Sequence, residues 1–290
     1  MNPKISISYK TKNIIIDELS KQDNIEILKE SGFIKSLFSK KKYADVYFHS
    51  ANLDEKSIEN IKNAKMTIVN SFASMNEIIA KTKISYEKVK VIYPSVDIEY
   101  KKTKDVKLKL CEELQIDSKN KLIFFTAKNF KTSGVKEFLD ICSKITYEDF
   151  SVIIAGSKNQ IYSLNFQLQK YPKLEGKLIL LEDYKNMDDL FLASDIFILP
   201  TYNKSFSSNI VKAMFCRCAV FLSIENDAKE IIDVFASMDS PTDPSMMFKV
   251  DAILKGMDDL KLIKNENRKI AKEFSLVNNL AKINAIIENI

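Results

Sequence analysis

The sequence predicts an α/β fold built on parallel sheets. Several short apolar runs are predicted to be strands, and between them apolar residues recur at helical spacing in segments 135–142, 161–171 and 228–235. Continuous apolar strands that alternate with amphipathic helices are typical of a parallel sheet covered on both faces. The strands are predicted from short runs rich in β-branched, aliphatic and aromatic residues: KLIFFT (121–126), SVIIAG (151–156), KLILL (177–181), IFILP (196–200) and AVFLS (219–223).

The first part of the chain follows the same alternation with shorter and less regular segments. KVKVIYPSVDIEY (88–100) reads as a strand that runs into a linker, because Pro94 breaks the pattern. The other predicted elements are strands at KISISY (4–9), KNIII (12–16), ADVYFHS (44–50) and MTIVNS (66–71), and helices at Ile25 to Phe38, Ser57 to Lys62 and Met75 to Ala80.

Composition places the chain among soluble globular proteins. Its 290 residues suffice for one large domain or two ordinary ones, and 46% of them are hydrophobic against 29% charged. No apolar run approaches the roughly 18 residues that span a bilayer, and the start lacks the apolar core of a signal peptide. The four cysteines form no CxxC pair, so we expect reduced thiols and a cytoplasmic protein.

Charge and glycine content argue against several functional classes. The net charge is only +5, and Arg217 and Arg268 are the two arginines, whereas bidentate readout of bases or phosphates favours arginine. Dedicated nucleic-acid binding is therefore disfavoured. The five glycines form neither a GxGxxG nor a P-loop pattern, which argues against dinucleotide oxidoreductases and P-loop NTPases.

The segment from Asp195 to Met214 carries the strongest local signal for a ligand site. An apolar run stops at Pro200, a polar loop follows, and a helix opens after Ser207, Ser208 and Asn209, all good cap residues. A strand, a loop and a helix N-terminus in this order place backbone N–H groups at the rim of a sheet, where they suit a phosphate. Lys212, read as part of the first helical turn, opposes the helix dipole unless a negative group lies nearby.

Read in order, these segments resemble the family-4 glycosyltransferases of GT-B fold, from about Asp45 to Phe274. The resemblance implies two Rossmann-like domains: a reduced, acceptor-side N-terminal domain at 1–97 and a C-terminal nucleotide-sugar-binding domain at 98–290. It leaves open that the last helix packs back on the first domain. The matching motifs are IYPSVD (92–97), FFTAKNFKTSGVKEFL (124–139), SVIIAGS (151–157), KLILLEDYKNMDDLFLASDIFILPT (177–201) and KEF (272–274).

The resemblance also implies a donor site, in which several family residues are replaced. Two family glutamates that hold the transferred sugar and the ribose correspond to Lys204 and Lys212, and an ammonium cannot accept hydrogen bonds from hydroxyls. The family arginine corresponds to Lys128, and the family lysine to Ser133. No metal or separate cofactor is implied, since the nucleotide sugar is a substrate. The full set of implied donor residues is Lys128, Ser133, Gly134, Gly156, Lys204, Ser205, Phe206, Ser207, Ser208 and Lys212.

Several features of the N-terminal half suggest a function. For His49 and for segment 33–42, an ordinary structural role is the alternative. His49 closes a strand near the place where many family members carry a histidine close to the reacting sugar, so it is a candidate acid/base or donor, or else a structural histidine. Segment 33–42 is a basic stretch that either touches anionic lipid at the inner membrane face or forms an ordinary surface helix. Because no glycine precedes Gly32 and the half is short, a protein partner or second copy is a candidate to complete it.

Two functions of different classes follow from these observations. The first is a retaining glycosyltransferase of hexosyltransferase type, which moves a sugar from a nucleotide-sugar donor to a glycan or lipid-linked acceptor. The second is a catalytically degenerate GT-B fold that serves as a scaffold, partner-binding or sensor module. Family membership favours the enzyme, whereas the missing donor contacts favour the second function.

Overall fold

The computed structural model describes residues 4–28, 42–50 and 52–290 and confirms an α/β fold with two parallel sheets. The chain divides into two compact units. The N-terminal unit consists of Met1–Ser95 together with Phe274–Ile290, and the C-terminal unit consists of Val96–Glu273.

The N-terminal unit is built on a five-stranded parallel sheet with the order β2-β1-β3-β4-β5. Its described helices start at side-chain caps, because Asn13, Asp54 and Ser71 each accept a hydrogen bond from a first-turn backbone N–H. The elements are β1 (Ile5–Tyr9), α1 (Ile14–Leu19), β2 (Ile25–Ile27), β3 (Val46–His49), α2 (Glu55–Asn63), β4 (Met66–Val69), α3 (Phe72–Thr82), β5 (Val89–Val91) and α11 (Leu276–Ile287).

The last helix of the chain is part of the hydrophobic core of this unit. Ile283 and Ile287 of α11 belong to the same buried cluster as Ile7, Ile16 and Val46. Burial of each such side chain stabilises the unit by roughly 1.5–3 kcal/mol.

Two predictions for this half were wrong. KNIII (12–16) is the start of helix α1 rather than a strand, because Asn13 caps it. Ile25 begins β2 and pairs with Ile5 of β1, where the sequence predicted a helix. The isoleucine-rich runs fit either element, so capping and strand pairing decide between them. Residues 29–38 of that predicted helix lie outside the described residues.

The C-terminal unit is built on a six-stranded parallel sheet with the order β11-β10-β9-β6-β7-β8. The sheet confirms the five predicted strands, and its core is rich in phenylalanine, with Phe124, Phe138 and Phe197 fully buried. The elements are α4 (Thr103–Glu113), β6 (Lys121–Thr126), α5 (Val135–Cys142), β7 (Phe150–Gly156), α6 (Lys158–Leu168), β8 (Leu178–Glu182), α7 (Met187–Ala193), β9 (Ile196–Leu199), α8 (Ser208–Phe215), β10 (Ala219–Ser223), β11 (Ser237–Met238), α9 (Met246–Lys255) and α10 (Met257–Lys272).

The predicted α-helix at 228–235 was wrong. The structure has two short 3₁₀ turns there, Asp227–Ile231 and Val234–Ala236. Each starts at its own side-chain cap, since Asn226 accepts from the N–H of Ala228 and Asp233 accepts from that of Phe235. A second cap inside the segment restarts the turn and ends any continuous helix.

A buried ionic cluster ties three elements of the C-terminal unit together. Asp195, just before β9, accepts from the ammonium groups of Lys107 on α4 (2.8 Å) and Lys264 on α10 (2.7 Å). It also accepts from the backbone N–H of Leu122 at 3.0 Å. Burial alone would raise the pKa of Asp195, but attraction to the two ammonium groups lowers it to about 2.

Membrane contact through segment 33–42 stays a prediction, because residues 33–41 lie outside the described part of the chain. Within the described residues, no helix combines the length and the apolar character needed to cross a membrane.

Candidate functional site

The carboxyl ends of β6, β7 and β9 lie at one edge of the six-stranded sheet, because these strands run parallel. Two loops leave this edge: the β6 loop (residues 127–134) and the β9 loop (residues 200–207). Most donor residues implied by the resemblance lie in these loops, and Gly156 ends β7 beside them. The tertiary structure therefore brings together segments that are far apart in sequence.

Gly134 permits the two loops to touch. Its φ is +78°, and a Cβ at this position would overlap the carbonyl oxygen of Pro200. Only glycine combines this backbone conformation with so close an approach. Gly134 thus sets the spacing of the loops.

Gly156 has a packing role at the end of β7. A Cβ there would overlap the ring of Phe130, which is buried in the β6 loop. The same loop is held from α6, since Gln160 Nε2 donates to the carbonyls of Ala127 and Lys128 at 3.2 Å each. The β6 loop is therefore fixed at both sides.

Hydrogen bonds join the two loops directly. The carbonyl of Thr132 accepts from the N–H of Tyr202 at 3.0 Å and from Asn203 Nδ2 at 3.2 Å. Asn203 Nδ2 also lies 3.3 Å from Ser133 Oγ. Ser133 is buried, and its hydroxyl therefore takes part in holding the β9 loop in place.

Asn226, which follows β10, uses its whole side-chain amide to hold the β9 loop. Its Nδ2 donates to the carbonyls of Asn203 (2.9 Å) and Ser205 (2.6 Å). Its Oδ1 accepts from the N–H of Ser207 (3.2 Å) and Ala228 (3.1 Å). Asn226 is 1% exposed. The N–H of Ser207 is thus already occupied within the protein.

The start of α8 is anchored to β6 and keeps open donors. Asn209 Nδ2 donates to the carbonyl of Thr126 at 3.2 Å, which fixes the first turn beside the end of β6. Ser207 provides no side-chain cap. The backbone N–H groups of Ser208 and Asn209 have no acceptor among the described residues, as expected for a first helical turn.

The lysines at the site differ in their surroundings. Lys128 is exposed, and its side chain forms no ion pair with any described residue. Lys204 is exposed, and its carbonyl accepts from the N–H of Asp227 at 2.8 Å. Lys212 lies in the last turn of α8 rather than the first, where a cation suits the helix dipole. Its ammonium lies 3.5 Å from Asp188 Oδ1 of α7.

Asp188 lines a cavity of about 340 Å³ beside the start of α7. Carboxylates and ammonium groups both line it, and Lys101 and Asp189 form an ion pair of 2.8 Å at its wall. The cavity residues are Glu99, Lys101, Lys185, Asn186, Met187, Asp188, Asp189 and Leu192. Among the residues described, no group of three or more His, Cys, Asp or Glu side chains could hold a metal ion.

The remaining predicted residues differ in their burial and in the unit that contains them. Phe206 is buried within the β9 loop, whereas Ser205 and Ser208 are exposed. His49 ends β3 in the N-terminal unit, is 3% exposed and lies with its ring centroid 6.0 Å from that of Tyr47.

Sequence reasoning missed Asn226, Asn203 and Asp188. Asn226 carried a usable signal, since it follows an apolar strand by three residues at the edge where the loops meet. Asp188 carried none, because an acidic residue in a first helical turn is ordinary.

The family comparison agrees with this geometry. The model of the family described as "Glycosyl transferases group 1" matches residues 106–269, which include every element of the candidate donor site described here. No curated protein sequence matches the chain.

Solved structures share the fold at low sequence identity. The Anabaena protein Alr3699/HepE, solved in complex with UDP, has a TM-score of 0.78 and 15% identity, over 99% of this chain and 100% of that one. A glycosyltransferase from Rickettsia africae has a TM-score of 0.72 and 14% identity, over 100% and 99%. WaaG, a glycosyltransferase of lipopolysaccharide biosynthesis, has a TM-score of 0.69 and 9% identity, over 97% and 99%.

These likenesses establish the fold, and the family match goes further because it covers more than half of the 290 residues. The chain belongs to the glycosyl transferases group 1 family.

Proposed function

We propose that the protein transfers a sugar from a nucleotide-sugar donor to a glycan or lipid-linked acceptor. The observation that carries the proposal is the interlocked pair of loops at the carboxyl edge of the six-stranded sheet. Gly134 and Asn226 hold the β9 loop in one arrangement, and this arrangement leaves the N–H groups of Ser208 and Asn209 without acceptors in the part of the chain that the structure describes. A preformed set of donors at a helix N-terminus suits a diphosphate.

Two further findings support a nucleotide-sugar donor. The chain belongs to the glycosyl transferases group 1 family. The similarly folded Anabaena protein was solved with UDP, with UDP and glucose, and with UDP-glucose. A diphosphate at the loops would have the sugar on one side and the nucleoside on the other.

Electrostatic stabilisation of the leaving diphosphate is the central chemical step in this proposal. As the glycosidic bond breaks, negative charge grows on the phosphate oxygens. The ammonium of Lys128 and the first-turn N–H groups of α8 stabilise that charge without reorganising, because the loops are already fixed. Removal of one such donor costs roughly 10²–10³ in kcat in enzymes that stabilise an oxyanion in this way.

The cavity beside α7 is the proposed place of the nucleoside. Lys212 cannot accept a hydrogen bond from a ribose hydroxyl, but the neighbouring Asp188 carboxylate can. The ion pair of 3.5 Å holds that carboxylate close to the position where the family has its glutamate. We propose that Asp188 supplies the acceptor that Lys212 lacks.

A catalytically degenerate scaffold, partner-binding or sensor module is the second candidate function. One specific observation favours it: the Ser133 hydroxyl and the Ser207 N–H, both implied to contact the donor, are already hydrogen-bonded inside the loops. In this case the loops are a stable surface, and Lys204 and Lys212 are ordinary surface lysines.

Thermal unfolding with nucleotides separates the two functions. A ligand that binds only the native state raises the Tm by an amount that grows with the ratio of its concentration to its Kd. We expect one member of a panel of UDP, GDP, ADP and CMP sugars to raise the Tm, and the Lys128→Ala variant to lose that shift. Lys131→Ala is the matched control, since Lys131 is an exposed lysine of the same β6 loop.

A panel that gives no shift at millimolar concentration rejects donor binding and selects the degenerate module. A shift that Lys128→Ala leaves unchanged rejects the assignment of Lys128 while keeping donor binding. Sugar release from the bound donor, followed by mass spectrometry, then distinguishes a working transferase from a sensor that only binds the nucleotide.

A further inference from the structure

The strand β8 forms an apolar outer edge of the six-stranded sheet. It lies at the end of the strand order and consists of four consecutive aliphatic residues, 178–181, followed by Glu182. None of its residues is buried, whereas every residue of β9 and β10 is. A hydrophobic edge strand with free backbone groups is a template for pairing with another strand.

The hydrogen-bonding pattern with β7 defines which backbone groups of β8 face outward. The carbonyl of Lys177 accepts from Val152, and the N–H of Asp183 donates to Gly156. Backbone direction alternates along a strand, so the odd-numbered residues from 177 to 183 bond to β7. The N–H and C=O groups of Leu178, Leu180 and Glu182 therefore point away from the sheet.

We propose that this edge pairs with the same edge of a second copy of the chain, about a twofold axis at Leu180. A twofold axis makes the two strands antiparallel and requires outward residues to face outward residues. Leu180 then faces Leu180 of the other copy, and Leu178 faces Glu182. The two sheets join into one continuous sheet.

Charge at the ends of β8 selects this register. With Leu180 on the axis, Lys177 of each copy faces Asp183 of the other copy. The dimer therefore contains two Lys177–Asp183 ion pairs. The ammonium of Lys177 donates to the carbonyl of Glu148 at 2.7 Å and lies 4.4 Å from the ring centroid of Phe150, so one of its remaining N–H groups is the donor to Asp183 of the other copy. Asp183 is exposed. A shift by two residues places Leu181 opposite Lys177 and loses the match.

An exposed aromatic pair lies on α6, the helix that packs against β8. Tyr162 and Phe166 are 64% and 71% exposed, and their ring centroids lie 5.4 Å apart. At 100° per residue they lie on the side of α6 opposite Gln160, which reaches inward to the end of β6. They therefore point away from the sheet, and the twofold axis brings both copies of α6, which packs against β8, to the same face of the joined sheet.

Charge reversal in mixed samples tests the proposal most sharply. In a homodimer of Lys177→Glu, each of the two facing pairs consists of two carboxylates. In a homodimer of Asp183→Lys, each pair consists of two ammonium groups. An equimolar mixture of the two variants restores both opposite-charge pairs in a heterodimer. We expect the unaltered protein to dimerise in sedimentation velocity across a micromolar to submillimolar series, each variant to weaken dimerisation at least tenfold, and the mixture to recover it.

Leu180→Lys is the second variant, because it sets two ammonium groups against each other on the axis. Leu262→Lys on α10, where Leu262 is 60% exposed, is its matched control and leaves dimerisation unchanged. Each variant is first shown to keep its Tm within a few degrees of the parent. In hydrogen exchange, the peptide covering residues 178–182 is slowed at high protein concentration.

Three results would overturn the pairing. They are a monomer at every concentration, a dimer that survives Leu180→Lys, and a mixture of charge variants that stays monomeric. Sedimentation and hydrogen exchange are measured without nucleotide or acceptor. The outcome is therefore independent of the proposed transferase activity. The surface also differs from the N-terminal half, for which the sequence left a completing partner open.

Discussion

Gly134 and Pro200 lie so close together that a single added carbon at Gly134 would overlap the carbonyl of Pro200. The contact joins the ends of β6 and β9, which are separated in sequence by the whole of β7, β8 and the helices between them. The arrangement of the candidate donor site therefore depends on the absence of one side chain.

Gly134→Ala is expected to destabilise the protein by more than about 3 kcal/mol, because overlap with backbone adds to the left-handed strain. Gly176→Ala is the matched control. Gly176 has a similar φ of +74° but nothing within 4 Å of its added Cβ, so it carries the strain alone, about 1–2 kcal/mol. Denaturant unfolding measures both, and equal losses would contradict the close contact.

Asn226→Ala is expected to loosen the β9 loop. It removes two donated and two accepted hydrogen bonds from a buried site, and the cost is about 2–4 kcal/mol since the loop partners stay partly desolvated. Asn226→Asp keeps the acceptor and removes the donors, so hydrogen exchange should remain slow at the N–H of Ser207 and Ala228. If exchange in residues 203–208 is unaltered in Asn226→Ala, Asn226 does not hold the loop.

Lys212→Glu is expected to weaken nucleotide binding, although it restores the family's residue. A carboxylate at that position would lie beside Asp188 and repel it, because the present pair is only 3.5 Å apart. Stability should change by less than about 1 kcal/mol, since both side chains are substantially exposed. The double variant Lys212→Glu with Asp188→Lys reverses the pair and should recover binding in a thermal-shift titration. Tighter binding by Lys212→Glu alone would reject Asp188 as the ribose acceptor.

Asp195 should make the C-terminal unit sensitive to acid. Its pKa in the folded protein, about 2, lies below the ordinary value of 3.8. Its contribution is thus complete above pH 4 and is lost as the pH falls through the folded pKa, a change of about 2 kcal/mol. Asp195→Asn should cost about 3–5 kcal/mol at neutral pH, because Lys107 and Lys264 keep their charges in a largely buried place. The variant's stability should then vary less between pH 4 and pH 2.

Asp251→Asn is the control for the cost of replacing Asp195 at neutral pH. Burial acts to raise the pKa of Asp251, but hydrogen bonds from Lys255 and Thr146 lower it to about 2. It pairs with one lysine rather than two, and that lysine is exposed, so its replacement should cost less at neutral pH. Chemical unfolding at several pH values compares the two variants. An acid slope in Asp195→Asn equal to that of the parent would refute the cluster's role.

Several elements could be predicted because their signals are local. The strands at 121–126 and 219–223 were predicted to the residue, since apolar runs bounded by polar segments mark buried parallel strands. The helix at 135–142 follows from its apolar spacing. The 3₁₀ turns at 227–236 were not predicted, because the spacing of apolar residues there fits an α-helix while two caps impose shorter turns.

The candidate site likewise has features that local sequence signals predict and features that they do not. Which segments contribute to it follows from motif order, because loops after parallel strands meet at one edge. How they meet does not follow, since the role of Ser133 depends on Asn203 and that of Lys212 depends on Asp188. Such pairs are set by packing between distant segments, and a periodic pattern carries no information about them.

The sequence by itself determined the α/β class, the parallel sheet of the C-terminal half and the family, because each is encoded in the order and spacing of neighbouring residues. Tertiary structure alone decided that Ile25 begins a strand paired with Ile5, that Asn226 holds the β9 loop and that β8 presents an apolar edge. These outcomes depend on which side chains and strands become neighbours after folding, and that is a property of the packed chain.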